Sequence, residues 1–249
     1  MIELINISKT FNRGKPNEVN ALHSIDLYVE IGEFLVIVGS NGSGKSTLLN
    51  VISGNIKPSS GTIALDGRDV TDRTDYQRSR YIARVFQNPL SGTAPDLSIL
   101  DNFRLASLRT HGKGLTIGIN EGFKYEVMEK LSLLEMGLEH KINQPMGTLS
   151  GGQRQAVTLL MGVMANCKIL LLDEPTAALD PRSADIVMKM ADKLTHDFNL
   201  TTVLITHNLK DAHTYGNRII QMAEGRIIND VNEANKAKLA PTDLFGWFV

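Results

Sequence analysis

A single cysteine, Cys167, leaves this 249-residue chain without a partner for an internal disulfide, so stability must come from packing. The thiol agrees with a reducing compartment, and it reads as a small buried hydrophobe rather than a reactive group. Long apolar runs are scarce as well. The longest, residues 34–38 and 169–172, are strand-sized and far short of the roughly 18 residues a membrane-spanning helix needs. The chain is therefore not expected to cross a bilayer by itself. The N-terminus, Met1-Ile2-Glu3-Leu4-Ile5, lacks a basic segment followed by an apolar one, which argues against a secretory leader and makes the cytoplasm the default. Charge of one sign is also missing: 26 Lys+Arg stand against 27 Asp+Glu, without the electrostatic footprint of a general nucleic-acid binder. The densest basic stretch, residues 68–84, carries five arginines interrupted by Asp69, Asp72 and Asp75 and reads as a solvated face. No internal repeat or low-complexity segment is visible. With 42% hydrophobic residues, what remains is an ordinary globular protein, long enough for one large domain or a core with a smaller insertion.

Residues 2–7 and 25–29 alternate apolar and polar side chains, and 34–38 is a continuous apolar run ending at glycine, as a buried strand would. Residues 45–52 read as a helix closed by Ser53-Gly54, with a turn at 57–61. Strand character returns at 62–65 and 81–86. Between residues 88 and 148 the texture becomes helical, clearest at Phe123, Val127, Leu131, Leu134 and Leu138, after a Gly-rich stretch at 111–118. This predicts an inserted helical subdomain. Strands at 168–172, 201–206 and 218–222 alternate with helices near 183–197 and 209–215, the pattern of an α/β fold with a parallel sheet and crossovers. Ala223-Glu224-Gly225 reads as a hairpin turn.

Gly39-Ser40-Asn41-Gly42-Ser43-Gly44-Lys45-Ser46 satisfies G-x-x-x-x-G-K-[ST] between a strand and a helix. Its glycines let the backbone curl so that N–H groups face phosphate oxygens, and the helix N-terminus adds partial positive charge. Lys45 then meets the terminal phosphates and Ser46 ligates Mg²⁺. The plainer reading, a Gly-rich turn that happens to contain lysine, leaves the agreement of strand, spacing and helix unexplained. Residues 169–174 end a buried strand in two adjacent carboxylates, whose side chains must point differently because they alternate along a strand. Asp173 is assigned to the metal and Glu174 to the attacking water, against a plain reading as surface carboxylates at a strand end. Leu149-Ser150-Gly151-Gly152-Gln153 precedes a good helix, so it offers either a second anion-binding helix N-terminus or a serine N-cap with flexible glycines.

The joint occurrence, in this order, of Gly39 to Thr47, Gln87, Leu149 to Gln153, Asp173-Glu174 and His207 resembles the ATP-binding-cassette ATPases over nearly the whole chain. The resemblance implies a P-loop NTPase core with a mostly parallel sheet, an N-terminal antiparallel β subdomain and an inserted α-helical subdomain. It divides one cassette domain into a core at 1–88 and 165–231, a helical subdomain with the signature at 89–164, and a tail at 232–249. It implies ATP and Mg²⁺ as ligands, with Lys45, Glu174 and His207 catalytic and Ser46, Gln87 and Asp173 around the metal. Gln87 matches the glutamine that also links to the transport partner, and His207 the histidine that contacts the terminal phosphate. Taken alone, His207 is as well read as a satisfied strand-end histidine. Phe11 occupies the place of the aromatic that stacks on adenine, with core packing as its alternative. Two cassettes are expected head to tail, so Ser150, Gly151, Gly152, Gln153 and Asp180 would complete the neighbour's site.

By the same resemblance the chain is the nucleotide-hydrolysing subunit of a membrane transporter at the cytoplasmic face of the membrane. Its partners are a second copy or a homologous cassette, a separate integral-membrane permease and a solute-binding protein, with no nucleic acid. Residues 87–95 and the following helical subdomain are expected to receive the permease's coupling helix. Their wording, with residues 176–181, resembles an importer branch for amino-acid-type ligands. A soluble cassette ATPase that drives iron–sulfur assembly is the alternative. DNA-maintenance relatives carry long insertions that are absent between Lys45 and Asp173. The C-terminal regulatory domain of some importer cassettes is not expected after Val231.

Overall fold

Apolar alternation from Ile2 onward builds an N-terminal antiparallel sheet. Strand β1 (Ile2–Phe11) pairs on one side with β2 (Val19–Val29) and on the other with β4 (Ser60–Leu65), followed by the short β5 (Arg68–Asp69). The computed structural model describes residues 1–88, 90–109, 118–164 and 167–247. Pro89 and most of the Gly-rich stretch at 111–118 therefore lie outside the described residues.

The run at 34–38 becomes β3 (Phe34–Val38), buried along its whole length. It lies inside a six-stranded sheet with β6 (Ile82–Val85), β7 (Ile169–Asp173), β8 (Thr201–Ile205), β9 (Arg218–Ala223) and β10 (Arg226–Val231). The order is β10-β9-β3-β8-β7-β6, parallel except for the antiparallel β9–β10 hairpin. Glu224 and Gly225 both take positive φ at its turn, the backbone a tight hairpin needs. Because side chains alternate along a strand, β3 feeds two cores. Leu35 and Ile37 join helix α1 (Lys45–Ser53) and the N-terminal sheet, while Phe34, Val36 and Val38 join a larger cluster with the remaining helices. Leu171 and Leu172 of β7 divide the same way.

Beyond the short α2 (Asp75–Arg78), the inserted helical region comprises α3 (Ile99–Ser107), α4 (Glu121–Ser132) and α5 (Gly151–Met164). Ser98 and Asp101 form a capping box on α3, and the Asn120 side chain caps α4, so each start is written locally. Phe103, Val127, Leu131, Val157 and Leu160 face the larger core. After β7, α6 (Pro181–Asp197) and α7 (Leu209–Thr214) are the crossovers of the parallel sheet. The tail is not a loose extension. Its short α8 (Glu233–Lys236) buries the Lys236 ammonium on the Tyr215 and Gly216 carbonyls, and burial pushes that group down to about 8. Leu244 is buried in the larger core. Cys167 is buried as expected, its thiol pushed up to about 11 by desolvation.

In the basic stretch Arg68, Arg73 and Arg80 are exposed as a solvated face requires, but Arg78 departs from it. Arg78 is 1% exposed, and its guanidinium donates to the carbonyls of Val51 and Ile52, both at 2.8 Å, and of Thr71 and Arg73 at 3.2 and 3.1 Å. Two of these belong to the last turn of α1, where orphan carbonyls need donors and a cation suits the helix dipole. Alternation with aspartates suggested solvent, but the arginine is consumed by a helix end distant in sequence. Arg78→Ala is expected to lower unfolding stability by about 3 kcal/mol, because buried acceptors lose a charged donor. Arg78→Lys should recover only part of this, since an ammonium cannot span four carbonyls. Urea unfolding midpoints at constant slope measure the effect.

Candidate nucleotide-binding site

The loop from Gly39 to Gly44 leaves β3 and enters α1 with positive φ at Gly39, Gly42 and Gly44. Glycine is required at two of these positions by space as well as by backbone. A Cβ on Gly39 would lie 2.1 Å from the Met222 carbonyl, and one on Gly44 would lie 2.6 Å from that of Ala21. No side chain caps the start of α1, which leaves its first amides available to an anion. Lys45 is buried at the loop's centre, donating to the Gly39 and Ser40 carbonyls at 2.8 and 2.9 Å. Burial lowers its pKa, while the charges of Glu174 and Asp173 pull it back up. The two carboxylates thus offset part of the cost of burying this group, which is placed as one meeting terminal phosphates must be.

Those carboxylates point apart, but not by strand alternation alone. Asp173 closes β7, whereas Glu174 adopts φ 49, a left-handed backbone that is strained for a non-glycine residue. The turn is held by the Glu174 amide donating to the Ile205 carbonyl at 3.0 Å. Asp173 Oδ1 accepts from the Ser46 hydroxyl at 3.3 Å and Oδ2 from Arg84 at 2.8 Å. Glu174 Oε1 lies 2.8 Å from His207 Nε2, and Oε2 accepts from the Gln87 amide at 3.2 Å. His207 follows the end of β8, so strand-end residues from the carboxyl edge of the sheet converge here, where open α/β folds place ligands. Ser46 and Asp173 offer adjacent hard oxygens. Mg²⁺ is characteristically held by one or two such protein groups together with substrate phosphates, and the pair fits that description.

A cavity of about 420 Å³ surrounds the loop, lined by Phe11, His23, Gly42, Lys45, Glu174 and His207 among others. Phe11 sits at the end of β1 opposite Val19. It is half-exposed with Lys9 over its ring at 5.1 Å and belongs to neither core cluster, so core packing is not its place. Asn41, Ser46 and Thr47 line the same cavity, while Ser43 is buried beneath it. The signature residues lie elsewhere. Ser150 is exposed, its Oγ accepting from the Gln153 amide at 3.3 Å and its own amide donating to Gln153 Oε1 at 3.1 Å, the reciprocal cap that the plainer sequence reading allowed. Gly152 lets α5 approach α6, since a Cβ there would lie 2.6 Å from Ser183 Cβ, and a Cβ on Gly151 would lie 3.0 Å from Leu179 Cδ2. Asp180 caps α6 by accepting from the Arg182 and Ser183 amides, both at 3.1 Å. Neither 150–153 nor Asp180 lines the cavity at Lys45.

Four residues escaped the sequence reading: Arg84, His23, Glu224 and Gln155. His23 and Glu224 line the cavity because the β9–β10 turn is clasped by the loop, the Gly225 amide donating to the Ser43 carbonyl at 3.0 Å. Gln155 is 1% exposed and its amide donates to the Phe86 carbonyl at 2.9 Å. Arg84 had a signal. An arginine among Ile82, Ala83 and Val85 on a buried strand must find a carboxylate.

A nucleotide-gripping loop, paired strand-end carboxylates and a glycine-led helix define the class, and the ABC transporter family model matches residues 22–177. The chain belongs to that family. It is 40% identical to a tyrosine transport ATP-binding protein of Clostridioides difficile (strain R20291), over 100% of this chain and 98% of that one. It is 33% identical to the phosphonates import ATP-binding protein PhnC of Agrobacterium fabrum, over 91% of this chain and 79% of the relative. Among solved structures, the dimeric post-hydrolysis state of the ATP-binding cassette MJ0796 bound to ADP and Pi matches with TM-score 0.80 and 32% identity. That match covers 94% of this chain and 99% of the other.

Replacing Phe11 with alanine is expected to weaken ATP binding about 5- to 150-fold, as loss of one aromatic stacked on a base implies, ~1–3 kcal/mol. The melting temperature should stay near the parent's because the ring is outside both cores. Titration of a fluorescent ATP analogue alongside thermal unfolding separates the two effects.

Proposed function

We propose that the chain is the ATP-hydrolysing subunit of a membrane transporter, working as a head-to-tail pair of cassettes on the cytoplasmic face of the membrane beside a separate permease. One observation carries this reading: Lys45, Ser46, Glu174 and His207 line one cavity, with Asp173 and Gln87 hydrogen-bonded to Ser46 and Glu174, while the segment from the exposed Ser150 to Gln153 lies outside it. One chain thus holds two complementary halves that do not meet within it, and a second copy brings them together. The dimeric cassette in its ADP and Pi state supports both the pairing and the hydrolysis. No helix among the described residues is long and apolar enough to cross a membrane, and the transport relatives favour a permease partner over the soluble assembly ATPase.

In this reading the loop amides and Lys45 bind the phosphates of ATP, and Ser46 and Asp173, with Gln87, would hold Mg²⁺, which would supply neutralisation of phosphate charge. Phe11 stacks on the base. Glu174 orients the attacking water and accepts its proton, with His207 and Gln87 fixing the carboxylate from either side. Ser150 and Gly152 of the partner close over the terminal phosphate, and Asp180 lies at the seam between the copies. A groove of about 620 Å³, lined by Tyr76, Arg84, Phe86, Leu105 and Met161 among others, separates the core from the helical region. It is the place for the permease's coupling helix. The tyrosine transport relative supports import of an amino-acid-type solute, delivered by a solute-binding protein.

Glu174→Gln keeps size and hydrogen bonding but removes the base, so ATP binding should survive while hydrolysis falls by on the order of 10²–10⁴. Slow hydrolysis then leaves the closed pair populated. Size-exclusion chromatography with light scattering at millimolar ATP is expected to show a persistent dimer. A variant with full turnover would remove Glu174 from this role, and one that binds ATP but stays monomeric would count against the paired site.

A further inference from the structure

The Asp173 carboxylate is gripped at both oxygens, and the second grip comes from outside the nucleotide loop. Arg84 and Asp173 are paired at 2.8 Å with side chains only 11% and 14% exposed. The other arm of the guanidinium reaches back to α1, donating to Asn50 Oδ1 at 2.6 Å and to the Ser53 hydroxyl at 3.4 Å. The group lies over the Phe86 ring at 4.7 Å, and its buried Nε has no hydrogen-bond partner among the described residues. Taking a guanidinium this far out of water is costly unless rigid acceptors hold it. A planar fork suits the task because it engages two acceptors at once in a fixed relative geometry. Here one is the far oxygen of Asp173 and the other lies on the helix that carries Ser46. The near oxygen, Oδ1, is left beside the Ser46 hydroxyl.

We propose that Arg84 is a positioning residue for magnesium: it fixes the plane of the Asp173 carboxylate so that Oδ1 and the Ser46 hydroxyl form a ready pair of hard-oxygen ligands. This rests on the assignment of Ser46 and Asp173 to the metal under the function proposed above. None of the motif residues that carry the family resemblance includes Arg84. Partners one step removed from a metal fix the orientation of its ligands, and their loss typically lowers metal affinity about 10- to 100-fold. A merely structural ion pair would change thermal stability and leave the metal dependence alone.

The experiment titrates Mg²⁺ against binding of methylanthraniloyl-ATP to the full chain, with EDTA giving the metal-free affinity, for the parent, Arg84→Gln, Arg84→Lys and Asp173→Ala. Arg84→Gln is expected to keep the metal-free affinity while its Mg²⁺ midpoint rises about 10- to 100-fold. Arg84→Lys keeps the charge without the fork and should fall between the two. A folded Arg84→Gln with the parent's midpoint overturns the proposal. So does a lower midpoint, which would make Arg84 a competitor of the metal rather than its organiser. Should Arg84→Gln fail to fold, Arg84→Lys decides, and a parent midpoint there overturns it equally. An Asp173→Ala variant with an unshifted midpoint would instead sink the metal assignment itself.

Discussion

A buried ammonium facing two carboxylates at the carboxyl edge of a parallel sheet is the constraint on which the rest of the structure depends. Lys45 lies inside its own loop, where desolvation works against its charge and Asp173 and Glu174 work for it. Such a cluster is tolerable only where its geometry is rigid and every charge has a partner. Both cores supply the rigidity. β3 ends immediately before the loop and sends alternate side chains into each, so the loop's base cannot shift without disturbing both. α1, whose first residue is Lys45, is clamped between the two sheets by Leu48, Leu49, Val51 and Ile52. At its far end Arg78 satisfies the last turn.

The parts legible in the sequence were those whose cause is local. The run at 34–38 read as a buried strand and the residues after the glycine-rich loop as a helix, and both are found as β3 and α1. The helix at 45–52 closed by Ser53-Gly54 was local in the same way, and the structure ends α1 at Ser53 with Gly54 in a left-handed backbone. The pair Asp173-Glu174 was readable as two carboxylates with two directions, although the direction of Glu174 comes from a left-handed backbone pinned to Ile205. What escaped depends on distant chain. The pairing of Arg84 with Asp173 spans 89 positions, and Gln155 reaches a carbonyl 69 positions away. Arg78 looked solvated because nothing near it in sequence reveals the helix end it serves. The burial of Leu244 from the tail in the larger core is likewise a contact with distant chain.

The short segment from Arg84 to Gln87 shows why these distant contacts matter together. Three residues at and just after the end of β6 engage the adjacent carboxylates on one side and α5 on the other. Arg84 holds Asp173, Phe86 accepts from Gln155 on α5 through its carbonyl, and Gln87 donates to Glu174. Arg84 and Phe86 also wall the groove between the core and the helical region. Phe86 is thus tied to α5 while Arg84 and Gln87 beside it are tied to the two carboxylates. Because these bonds are made by near neighbours at one strand end, the place of α5 and the orientation of both carboxylates are set by the same short piece of backbone, and in a close-packed interior neither is adjusted independently of the other.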